Sequence, residues 1–140
     1  MSEENVEIVR ELLEAFRHRD HDREFQLLAE NVVVDPRRFA DTPLAVPGWS
    51  DVFCGHRGVR EFWRMWLDAW EEIEFETPEF VDAGGRVLVA FKQRNKGKGS
   101  GIWIDQPLYW GVYSVKDGQV VRLDWFSDRA EALEAAGLKE

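Results

Sequence analysis

The chain is poor in the side chains that most often carry nucleophilic or metal chemistry: one cysteine, two tyrosines and three histidines in 140 residues. With Cys54 alone, no intramolecular disulfide can form. His18, His21 and His56 lie far apart at a helix end and in loops, and no HExxH pattern joins them, so no metal site is predicted. Cys54 has His56 two residues on, but that spacing does not bring the side chains together, and Cys54 is read as a small buried thiol. There is no GxGxxG after a strand, no P-loop and no Gly-x-Ser-x-Gly elbow. No apolar run approaches the length of a membrane span, and the acidic start Met1–Glu4 does not lead into a signal sequence. A cytoplasmic protein is expected.

Cations are also short: 18 Lys and Arg face 27 Asp and Glu, a net charge of −9. That excludes nucleic acid and anionic membrane surfaces as partners, since both demand a basic footprint. The one basic stretch, Lys92–Lys98, reads as a solvated hairpin tip. What is plentiful is aromatic: seven Trp and nine Phe exceed the needs of an ordinary core, and such residues also line pockets.

Apolar periodicity places these residues. Val6, Val9, Leu13 and Phe16 form one stripe of a helix over Glu3–His18, with Ser2 as its cap and Glu3 and Glu4 at the favourable end of its dipole. A short helix over Arg23–Ala29 is expected to bury Phe25 and Leu28. Asn31–Asp35 is a β-branched strand stopped by Pro36. The connection Pro36–Gly55 is long enough to suggest a lid, with Trp49 and Phe53 either pinning it or facing a ligand. Val59, Phe62, Trp63, Trp66, Leu67 and Trp70 give a wide aromatic stripe on a helix over Gly58–Trp70.

Thereafter the period shifts to two. Ile73–Asp82, Arg86–Asn95, Gly101–Val115 and Gln119–Ser127 read as an antiparallel meander, with Pro107 and Gly111 marking a bend or bulge. Asp128 and Glu131 have capping-box spacing for a last helix ending at Gly137. The prediction is one α+β domain over residues 1–140: helices packed on a strongly curved, mainly antiparallel sheet, forming a cone with a single apolar cavity.

A carboxylate buried in such a cavity would titrate near neutrality and serve as an acid or base. Asp35 is the first candidate: it ends an apolar strand, and Pro36 holds it extended. Asp105 is the second, facing either the cavity or water. With unbroken alternation it shares a face with Trp103, Tyr109, Gly111 and Tyr113, and a bulge at Pro107 breaks that register. Tyr109 and Tyr113 are the only phenols available to support an oxyanion.

Glu4-Asn5-Val6 leading to Glu14-Ala15-Phe16, the run Phe25–Val32, Gly55–Phe62 and Lys116–Val121 together resemble the SnoaL-like branch of the nuclear-transport-factor-2-like superfamily. The resemblance spans nearly the whole chain. It implies the cone fold but no single activity, because that fold hosts isomerases, dehydratases, epoxide hydrolases, cyclases and non-catalytic binders. Val34-Asp35-Pro36 is similar to the Asp-Pro step carrying the base of ketosteroid isomerase, but Phe16 and Gly111 stand where that enzyme has its oxyanion donors. Lys92, Arg94 and Trp125 stand where limonene epoxide hydrolase has its catalytic set, and the strand region has no histidine of the kind scytalone dehydratase uses.

The resemblance therefore implies a protein that takes a small or polycyclic apolar molecule without metal or organic cofactor. Asp35 would be the base, Tyr109 and then Asp105 the oxyanion donors, and Phe16, Trp49, Trp63, Trp103, Tyr113 and Trp125 the walls. The alternative is a binding or assembly module of the same fold. A homodimer through the outer sheet face, at Trp110, Asp124 and Phe126, is also implied.

Overall fold

The structure is a computed structural model that describes residues 2–39, 42, 46, 49 and 51–138. The side chain of Ser2 lies outside the described residues, as does most of the stretch 40–50, so the expected cap and lid fall largely there. Two helices lead, α1 (Ser2–Arg17) and α2 (His21–Leu27), followed by β1 (Leu28–Asp35) and a 3-10 turn over Arg37–Phe39. A two-residue β2 (Phe53–Cys54) opens into α3 (Gly55–Ala69). Then come β3 (Trp70–Phe75), β4 (Glu79–Asp82), β5 (Arg86–Phe91), β6 (Gln93–Gly97), β7 (Trp103–Asp105), β8 (Tyr109–Lys116), β9 (Gln119–Phe126) and α4 (Arg129–Ala136).

Local chemistry accounts for the element ends. Asp20 accepts from the Arg23 N–H at 3.2 Å and starts α2 two residues before the expected point. Asp128 accepts from the Glu131 N–H, also at 3.2 Å, and Gly137 closes α4 in the left-handed region at φ 81°. Asp117 and Gly118 both have positive φ, the primed geometry that joins β8 to β9 tightly.

Three of the four expected strands are each divided in two, at Glu76–Pro78, at Lys92 and at Gln106–Leu108. The breaks lie side by side: Glu76 N–H donates to Lys92 O at 2.9 Å, and Gln106 N–H to Gln93 O at 3.0 Å. Three long strands thus turn one corner together. On one side they are β4, β5 and β8 of a six-stranded sheet ordered β2-β1-β9-β8-β5-β4, and on the other they form the sheet β3-β6-β7. Pro78 and Pro107 suit the corner, where ladder donors are not needed. The result is the curved, mainly antiparallel α+β cone; among the described strands only β1 and β9 run parallel.

Inside the cone, Val87, Val89 and Phe91 of β5, Tyr109 and Tyr113 of β8, and Leu123 and Trp125 of β9 meet α1 and α3 in the main core. Outside, Leu88, Val112 and Phe126 are covered by Ala132, Leu133 and Ala136 of α4. Phe126, expected to meet a second copy, is buried by its own chain, with the Arg38 guanidinium 4.2 Å above its ring.

β1 and β9 fix which side Asp35 takes. Val34 pairs with Leu123 and faces the core, so Asp35 pairs with Asp124 and faces outward. There its Oδ1 accepts from the Arg37 N–H (3.1 Å) and Nε (3.0 Å), and its Oδ2 from Arg37 Nη2 (3.0 Å). Arg122 and Arg38 stand 3.5 and 3.8 Å away, and Arg122 also clamps Asp124. The bond to Arg37 outweighs burial and holds the Asp35 carboxyl below its ordinary range.

A carboxyl whose folded value lies below its unfolded one stabilises the fold above pH ~4 and loses that contribution as pH falls further. Asp35→Asn is therefore expected to cost about 1–2 kcal/mol at pH 7, with the deficit shrinking below pH ~4, as measured by urea denaturation. A second position is set by space. A Cβ on Gly111 would lie 2.9 Å from the Tyr113 ring and 3.2 Å from that of Trp125. Gly111→Ala is expected to cost about 1–3 kcal/mol in the same measurement.

Candidate functional site: an aromatic chamber with a polar end

The chamber is closed by aromatic rings from five elements. α3 supplies Phe62, Trp63 and Trp66, while Tyr109 comes from β8 and Trp125 from β9. Phe39 of the 3-10 turn and Trp49 of the following connection cover it. Trp49 lies flat on Phe62, centroids 4.5 Å apart and planes 10° apart, and Phe62 is nearly parallel to Trp125. Phe39 meets Tyr109 edge-on at 5.7 Å. Packed this way, the rings leave about 10 Å³ of room, enough for one water molecule.

One end of the chamber is polar. Gln93 lines it, accepting from the Tyr109 hydroxyl and donating to Asn95 Oδ1 at 2.7 Å. Gln106 Nε2 and Trp70 Nε1 each lie 3.2 Å from the Asn95 amide. Gln93, Asn95 and Gln106 are all buried. Among the described residues three buried polar side-chain atoms have no partner: Trp49 Nε1, Trp125 Nε1 and Gln106 Oε1. A buried donor without an acceptor costs about 1–3 kcal/mol, so the two indoles are a standing deficit in the chamber wall.

Burial pushes the Tyr109 and Tyr113 phenols well above their ordinary value. Both stay protonated and are hydrogen-bond donors, not bases. Tyr113 lies deeper, with Phe16, in a second small apolar cavity against α1 and β1.

Several expected site residues lie elsewhere. Asp35 is on the opposite face of the sheet and does not line the chamber, because β1 alternation gives the inward position to Val34. Trp103 and Asp105 point outward. The corner at Pro107 breaks the register, β7 pairs Asp105 with Arg94 and Trp103 with Lys96, and Arg94 lies 4.4 Å over the Trp103 ring. Cys54 is exposed at the start of α3, not a buried thiol. Trp49, Trp63 and Trp125 line the chamber.

The polar end was not anticipated, although Val87, Val89, Phe91, Gln93 and Asn95 continue one period-two face into amides. Glu24 was also missed. It is buried in α2, where Phe25 was expected to be, and desolvation raises its carboxyl above the ordinary range against the pull of His21, 3.2 Å away. Among the described residues no group of three or more His, Cys, Asp or Glu is placed to hold a metal, and no helix is long and apolar enough to cross a membrane.

Comparison with known proteins agrees with this architecture. The family model for a SnoaL-like domain matches residues 9–123. No curated protein matches the chain. Among solved structures, an NTF2-like protein from Burkholderia xenovorans LB400 is 25% identical, with a TM-score of 0.74 and 97% of each chain covered. An NTF2-like protein of unknown function from Burkholderia pseudomallei K96243 is 26% identical, with a TM-score of 0.72 over 94% of this chain and 95% of that one. TerC, co-crystallised with polyporic acid, is 20% identical, with a TM-score of 0.72 over 96% of this chain and 98% of its own. With the cone, its inward aromatics and a family match over most of its length, the chain belongs to the SnoaL-like family.

Proposed function

We propose that the chain binds a small, flat, apolar molecule carrying a hydrogen-bond-accepting oxygen in the chamber beneath Phe39 and Trp49. The observation that carries this reading is the pair of buried indole N–H groups, on Trp49 and Trp125, without an acceptor. Stacked rings favour a flat apolar body. The orphan donors favour an oxygen, because a carbonyl or phenolate removes their desolvation cost while a hydrocarbon leaves it. The co-crystallisation of TerC, on the same fold, with polyporic acid is in keeping with such a ligand.

Binding requires room that the closed chamber lacks. Phe39 and Trp49 cover the chamber, and theirs is the displacement that would open it. Of the two chemical roles expected at the sequence level, binding fits better than proton abstraction by Asp35. Its carboxylate is engaged by Arg37 on the other side of the sheet, and no carboxylate lines the chamber among the described residues. Tyr109 serves as a further donor to the ligand oxygen once Gln93 gives way.

The test uses 2-hydroxy-1,4-naphthoquinone against naphthalene in calorimetric titration. The quinone is expected to bind and naphthalene to bind more weakly. Trp125→Phe keeps an aromatic ring but removes the N–H, and is expected to weaken quinone binding about 5- to 30-fold while Asp35→Asn leaves it unchanged. Equal affinity for naphthalene, or a dependence on Asp35, sinks the reading.

A further inference from the structure

A second recess opens on the other side of Trp63, between the α1–α2 turn and α3. Its floor is apolar, made by Phe16, Phe25, Trp63 and Leu67, and it has about 310 Å³ of room, the low end of small-molecule sites. These rings and Leu67 are half-buried, not sealed away. On a chain of net charge −9, the rim is cationic: Arg19, Arg60 and Arg64.

The three arginines are not equivalent. Arg64 is neutralised by Glu61 at 2.5 Å and Asp68 at 3.4 Å along its own helix. Arg60 lies 4.3 Å over the Phe25 ring and makes no ion pair among the described residues. Arg19 likewise has none, and it is held in the left-handed region at φ 57° where the chain turns from α1 to α2. In a protein with half again as many acids as bases, two guanidinium groups without an ion pair among the described residues stand beside an apolar floor; Arg60 also acts on the buried Glu24 carboxyl, and together with Arg19 it attracts an anion at the rim.

The recess continues into an adjoining groove that shares Phe16, Arg19 and Leu67 and runs on to Trp70 and Ile73. That far end carries Glu71, Glu72 and Glu74, so an anionic group is favoured only at the Arg19–Arg60 end. The polarity fixes how an elongated molecule lies. Glu24 also lines the recess; its carboxyl is bonded to His21 at 3.2 Å and acted on by Arg60, and burial raises it above its ordinary range, which favours the uncharged acid.

We infer that this groove binds a single-chain monocarboxylate, its head between Arg19 and Arg60 and its tail along Phe16, Trp63 and Leu67. The site is separate from the aromatic chamber and shares only the Trp63 wall with it.

The probe is decanoate, compared with decanol, each titrated calorimetrically against the intact chain at pH 7 and low salt, below the micelle threshold. Decanoate is expected to bind more tightly than decanol. Arg60→Glu is expected to weaken decanoate about tenfold and leave decanol unchanged. Arg60→Gln gives a smaller loss in the same direction, and circular dichroism confirms that both variants fold. Arg57→Glu, which reverses a charge in the first turn of the same helix outside the groove, leaves decanoate affinity unchanged, as does Trp125→Phe in the chamber. The inference is overturned by no decanoate binding, by decanol binding as tightly as decanoate, or by Arg57→Glu costing as much as Arg60→Glu. Sensitivity to Trp125→Phe places the ligand in the chamber and equally overturns it.

Discussion

The parallel pairing of β1 with β9 governs the chemistry of this molecule. Val34 lies beside Leu123 and Asp35 beside Asp124, and a strand has no intermediate option between its two faces. That register gives the inward position to Val34 and Leu123 and places both carboxylates on the outer face of the sheet, where Asp35 is buried beneath arginines. Arginines then gather where the carboxylates emerge: Arg37 from the following turn, Arg122 from β9, and Arg38, which also covers Phe126. A one-residue slip would bury Asp35 among rings and expose Val34. The short bidentate contacts of Arg37, made within the same turn, hold the register against that slip.

The shared corner at Pro78, Lys92 and Pro107 has a similarly wide reach. On one side, inward positions are aliphatic and aromatic. On the other they become Gln93 and Asn95, joined by Gln106 from the third strand. The corner thus supplies the polar end of the chamber, and it turns Trp103 and Asp105 away from it. Gly111, just past the corner, leaves the space that the Tyr113 and Trp125 rings occupy.

Much of this was legible in the sequence. The helical stripe of α3, the Asp128–Glu131 cap, the tight turn at Asp117-Gly118 and the aromatic surplus all have strong local signatures, and they led to the right fold class. The Asp-Pro step at Asp35-Pro36 misled because motif and spacing do not report which face a strand presents; that depends on pairing with a strand some 90 positions away in the chain. Asp105 and Trp103 were lost to the corner, whose effect on register was foreseen without its direction. Glu24 was missed because a short amphipathic helix leaves its buried side to be chosen by packing. His21 and Arg60, from two elements, make its burial tolerable.

The closure of the chamber by Phe39 and Trp49 has a consequence for time as well as affinity. An interior with about 10 Å³ of room would not be entered by the proposed ligand at the rate of molecular collision. Entry of the proposed ligand would wait for those two rings to withdraw, and so would its departure. Occupancy by the proposed ligand would then follow the withdrawal of Phe39 and Trp49: the observed association rate would level off at high ligand concentration, and a bound molecule would stay long after its surroundings are diluted.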